Sequence, residues 1–159
     1  MKLLSAFLFI VFLFTSCGCL NNSKSAELKT NMDTIKTESQ EQILSFEYEA
    51  SARGSYQQIL ITKSKVLKTT KRGGNLTGVV CDIEDWNKLI ELLETIHLEA
   101  IPKLEAPSKD FQFDGAAISR LKIVSNEKTY ETHSFDHGNP PKEIVELVKE
   151  ILSISENIE

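Results

Sequence analysis

Imidazole and carboxylate side chains set close together are what this 159-residue chain offers for chemistry, and they gather in one short stretch, "THSFDHGNPPKEI". His133, Asp136 and His137 have the nitrogen and oxygen donors that zinc or copper takes. Their spacing argues first for something plainer. On a strand His133 shares a face with Glu131 and Phe135, while Asp136 and His137 already lie in the turn that follows. The chain holds three histidines, the third being His97 at the end of an expected helix. No His-x-x-x-His or Cys-x-x-Cys pair accompanies them, so zinc-type spacing is missing. Gly138 permits a chain reversal, Asn139 suits a helix N-cap, and Pro140 suits the first helical position. Asp136 can accept backbone N–H bonds in the turn. We expect a turn and cap here, with a metal-binding accessory role as the alternative.

The other reactive patterns are absent. The sequence shows no Gly-x-Ser-x-Gly nucleophile turn, and "KRGGN" has the wrong order and spacing for a phosphate-binding loop. The reading is of a non-enzyme without a cofactor. Lys63, Lys65, Lys68, Lys71 and Arg72 form a run without an acid, which suits an anionic headgroup, a glycan or an acidic protein. Lysines also protect an edge strand from pairing with another chain, and that is the expected role. The formal charge is −5, and acids concentrate on one expected helix as Asp82, Glu84, Asp85, Glu91, Glu94 and Glu99. With no aromatics interleaved among the lysines, nucleic acid is excluded as a partner.

These residues hang on a regular pattern of elements. "LSFEYEAS" alternates Leu44, Phe46, Tyr48 and Ala50 with polar neighbours, a half-buried strand. "ARGS" turns the chain at Gly54, and "YQQILIT" and "VLKTTKR" continue as strands, with a brief fourth from Leu76 to Cys81. Asp82 caps a helix whose Ile83, Trp86, Leu89, Ile90, Leu93 and Ile96 recur at helical spacing. "HLEAIPKLEAPSKD" carries prolines at 102 and 107 that bar a regular helix. "AAISRLKIVS" and "TYETHSF" pair as a hairpin through "NEK", and a last amphipathic helix runs from Pro140 to about Ile154. The order βββ(β)-α-ββ-α defines an α+β domain: a mainly antiparallel sheet of four to six strands with two amphipathic helices packed on one face.

The first forty residues carry a different message. Lys2 precedes an apolar run from Leu3 to Phe14, shorter than the roughly 20 residues a transmembrane helix needs, which is a signal-peptide layout. The "LFTSC" that follows resembles the lipobox of bacterial lipoproteins, similar to those of Bacteroidota. That resemblance implies a signal peptide over 1–16, a diacylglyceryl group on Cys17, and a bacterial envelope location. Residues 17–42 then read as lipid anchor and polar tether, reaching roughly 25 Å, and 43–159 as one domain. "GCLNNSKS" lacks the acidic cluster of surface-exported relatives, which implies the periplasmic face. Asp33-Thr34-Ile35 resembles a Bacteroidota O-glycosylation motif and makes Thr34 a candidate. Cys81, among Val79, Val80 and Ile83, reads as a buried hydrophobe.

Two functional expectations follow. One is a non-catalytic, membrane-anchored module that binds an envelope protein or glycan, with exposed aromatics expected around Tyr48, Tyr56, Phe111 and Phe113. The other is an extracytoplasmic protease inhibitor, because the layout, with Gly54 and "DGAAISRLKI", is similar to the emfourin family. An inhibitor would present a protruding loop, and "EAPSKDFQFDG" is the segment expected to form it.

Overall fold

The computed structural model describes residues 41–156 and 158. The expected signal peptide, Cys17 and Thr34 lie outside them. In chain order the strands are β1 (Ile43–Ser51), β2 (Tyr56–Thr62), β3 (Lys65–Thr69) and β4 (Thr77–Val80), followed by helix α1 (Ile83–Glu94). Strands β5 (Ile118–Ser125), β6 (Thr129–Glu131) and β7 (Phe135–Asp136) precede helix α2 (Val145–Glu156). Six strands lie side by side in the order β4-β3-β2-β1-β5-β6, and the two-residue β7 also pairs with β5, one strand more than expected. All pairings are antiparallel. The fold is α+β as the patterning required. Among the described residues no helix is long and apolar enough to cross a membrane.

The alternation of β1 decides which face is covered. Phe46, Tyr48 and Ala50 turn inward, joined by Ile59 and Ile61 of β2, Val66 of β3, and Leu121 and Ile123 of β5. Trp86, Leu89 and Leu93 of α1 and Leu147, Val148 and Ile151 of α2 close over them. The Phe46 and Trp86 rings meet edge to face at 5.6 Å, an orientation their quadrupoles favour. Leu44 breaks the expected alternation and stands 46% exposed. The register of β1 on β5 slips between Ile43 and Ser45, and this bulge swings Leu44 outward.

Local physics accounts for the other departures. Asp82 caps α1 as expected, accepting from the Glu84 N–H at 2.9 Å. Asn139 does not cap α2. Asn139 and Pro140 each precede a proline, and residues in that position are driven out of the helical region. The chain therefore enters a short 3-10 turn at Lys142–Ile144 only after Pro141, and α2 follows it. The expected "TYETHSF" strand is split at Thr132, whose N–H and Oγ1 bond the Leu121 carbonyl and N–H, leaving β6 and β7 on either side.

The expected tether ends sooner than Ile43. The Glu41 carboxylate accepts from the Tyr130 hydroxyl at 2.8 Å, and the Gln42 N–H reaches Asn126 Oδ1 at 2.8 Å. Glu41 is held below the ordinary carboxyl range by the Ser125 hydroxyl first and by Tyr130 next.

Candidate functional site

Three loops meet at the end of the sheet where β1 turns into β2. They are the turn at Ala52–Ser55, the segment from Glu105 to Ala117, and the segment from Thr132 to Pro141. Asp136 joins the last two. Its Oδ1 accepts the Phe111 N–H at 2.7 Å, and its Oδ2 accepts the Asp110 N–H at 3.0 Å together with the Ser108 hydroxyl. Asn139 Nδ2 donates to the same Ser108 Oγ at 2.7 Å. The backbone around Gly138, with φ of 88°, brings Asn139 N–H back to the Asp136 carbonyl. Burial alone would push the Asp136 carboxyl up; Ser108 and the Phe111 and Asp110 amides outweigh it and hold the group below its ordinary value. Asp136 does accept backbone N–H bonds, but across 25 residues rather than within its own turn.

The anchored segment projects from this base. Asp110–Phe113 forms one 3-10 turn, and Asp114 ends it in the left-handed region at φ 58°, with Gly115 N–H closing on the Asp110 carbonyl. Phe113 stands 84% exposed at the tip, the most exposed large apolar residue described. Asp114 reaches Arg53 of the neighbouring turn at 3.0 Å, an exposed pair that contributes little stability.

His137 belongs to the same cluster in a different way. Its Nδ1 lies 2.7 Å from the buried Tyr48 hydroxyl, which is also 3.0 Å from Ser119 Oγ, and its N–H donates to the Ala117 carbonyl. Burial raises the Tyr48 hydroxyl above its ordinary range. His133 is exposed on the far side of Thr132. Among the described residues no three His, Cys, Asp or Glu side chains gather as a metal-ligand set. The structure thus ties Asp136 and His137 to protein partners and leaves His133 apart.

The basic run is also redistributed. β3 is an interior strand between β2 and β4, so its lysines do not guard an edge. Lys68 turns to the helix side and donates to the Ser155 carbonyl at 3.1 Å. Arg72 turns to the open side, 5.2 Å above the Tyr56 ring and bonded to Ser51 Oγ. Lys63, Lys65 and Lys71 remain exposed.

The open face of the sheet holds a depression of about 380 Å³ lined by Glu47, Glu49, Gln58, Arg72, Arg120 and Lys122 among others. The Glu47–Lys122 ion pair crosses its floor, and Arg120 lies 3.8 Å from Glu131. Its mixed charge suits polar ligands rather than an anion alone.

Of the expected aromatic patch, Phe113 is open, Phe111 is half-buried and Tyr56 lies half-buried under Arg72. Tyr48 is fully buried in the core, because its alternation places it with Phe46. Ser108 and Ser119 carry no sequence signal of their roles; their partners are distant in the chain. Comparison with family models, characterised proteins and solved structures finds no match. The lipobox and emfourin resemblances therefore rest on the residues that carry them.

Proposed function

We propose that the chain is a lipid-anchored, non-catalytic binding module of a bacterial envelope, held through Cys17 on the periplasmic side and presenting its Asp136-pinned loops to a protein partner. One observation carries the reading. Phe113 is 84% exposed, yet the loop behind it is fixed by the Asp136 carboxylate. An apolar side chain displayed on a loop ordered before binding loses little entropy on docking, and buried aromatics dominate protein interfaces. The test is capture of the lipidated chain from its native envelope beside a Phe113→Ala variant, with mass spectrometry of the bound proteins and of the N-terminal peptide. The reading expects an acylated Cys17 peptide and a partner that Phe113→Ala loses. A partner retained by the variant would move the site to the open-face depression, where a glycan also fits; an unacylated N-terminus would remove the membrane anchor.

The same loop favours a second reading, inhibition of an extracytoplasmic protease. "EAPSKDFQFDG" is the segment expected to protrude, and within it Phe113 is exposed beside residues that the Asp136 carboxylate ties down. Under this reading the purified chain slows a protease stoichiometrically, and Phe113→Ala abolishes the effect without altering the fold. Unchanged rates across a panel of secreted serine and metalloproteases would exclude it.

A further inference from the structure

Among the described residues, strand β4 leaves one long side of the sheet open. Val79, Val80 and Ile83, exposed by 49%, 82% and 51%, are three of the five large apolar side chains that stand exposed among the described residues. They lie at this edge. The Cys81 N–H donates to the Ser64 carbonyl at 3.1 Å, which fixes the antiparallel alternation with β3. Thr77 and Val79 direct their backbone groups to β3, so Gly78 and Val80 direct theirs away from it. The strand reads Thr-Gly-Val-Val and contains neither a charge nor a proline to discourage a further strand.

We propose that this edge pairs with β4 of a second copy of the chain, antiparallel about a two-fold axis. Gly78 of each copy exchanges both backbone hydrogen bonds with Val80 of the other, and the two Val79 residues face each other on the axis. Self-complementarity singles out a second copy as the occupant. The exposed Val80 side chain comes beside a residue that has none, and this happens twice by symmetry. The turn before β4 carries Lys71 and the residues after the strand include Asp82 and Glu84, so antiparallel pairing turns the basic end of one copy toward the acidic end of the other. Lys65 pairs with Val80 from β3, one strand back from the seam, and Lys63 lies in the turn between β2 and β3. The pairing stands on β4 alone and holds whether or not the lipid anchor or the Phe113 site is correct.

One short strand buries less than the roughly 1,200 Å² of stable complexes, so the dimer is weak and concentration-dependent. Sedimentation of the full chain in detergent should show a mass that rises toward twice the monomer with concentration. Val80→Pro should keep the circular dichroism of the parent and remain monomeric, because proline removes an N–H that the β3 ladder does not use. Val80→Lys, a change at a side chain already in water, should do the same and covers the case in which the proline variant misfolds. Directly opposed residues in a non-hydrogen-bonded pair have Cα atoms about 4.5 Å apart, within disulfide reach. Mild oxidation of V79C should therefore give a covalent dimer linked at position 79, whereas T129C on the opposite edge should not. A mass constant at the monomer, a dimer indifferent to both Val80 variants, or equal cross-linking by V79C and T129C would overturn the proposal. So would a monomer that captures a foreign protein in a Val80-dependent way, which would assign the edge to another chain's strand.

Discussion

Asp136 is the residue on which the loop cluster depends, and its titration has a defined sign. Its folded carboxyl titrates below the ordinary value, so the stabilisation it supplies is complete above about pH 4, the unfolded carboxyl range, and is lost as pH falls through the lower folded value. Melting temperatures followed from pH 7 to 2 should fall on the acid side. Asp136→Asn should melt lower than the parent at neutral pH and show a shallower acid decline. Glu41 titrates in the same direction and contributes to the decline that remains. Metal should matter little. Because both Asp136 oxygens and His137 Nδ1 already have protein partners, zinc or copper at tenfold excess should leave the melting temperature unchanged in the parent and in His137→Ala. A stabilisation abolished by His137→Ala would restore the metal-binding alternative. At this scale the sequence is little legible. The stretch around Asp136 announced a turn, but its partners Ser108, Asp110 and Phe111 lie 25 to 28 positions away, and no local pattern encodes such a tie.

Elements were far more legible, since periodicity is local. β1, β2, β3, α1 and the β5–β6 hairpin follow from alternation or helical spacing within a few residues of their bounds. What periodicity does not give is lateral order: the lysines of β3 suggest an edge, whereas β4 takes that place. Gly78 shows why β4 can. A Cβ there would lie 1.9 Å from the Val66 carbonyl oxygen, so only glycine lets the strand approach β3 this closely. Gly78→Ala should loosen β4, seen as faster amide exchange at Val79 and Cys81 with protection in β1 and β5 retained. Uniformly slow exchange would show that the close approach is not required. Asp82→Ala removes the α1 cap bond and should cost about 1 kcal/mol in urea unfolding.

On the scale of the whole domain, one core joins both helices to a single sheet face, and Leu121 sits fully buried within it on β5. Leu121→Ala should cost about 2–5 kcal/mol, measured by denaturant titration, which is a large part of a small domain's stability. A cost near zero would mean that the inward face of β5 does not share in the core. Cys17→Ser should leave these stabilities unchanged and, if the anchor is as proposed, release the chain from membranes.

The sheet order also sets a timetable. β1 lies between β2, its neighbour in sequence, and β5, whose Ile118 pairs with Ser51 and whose Ser125 pairs with Ile43. A chain that emerges N-terminus first, from a ribosome or through a membrane channel, can complete the β1–β4 meander early. One whole flank of β1 nevertheless stays open until some seventy later residues have arrived, and contacts of such long range form slowly. During that interval an apolar strand with unpaired backbone groups is available to any other extended segment. A chaperone that guards this protein in transit would therefore find its substrate in the unfinished side of β1, a surface that disappears once the domain is complete.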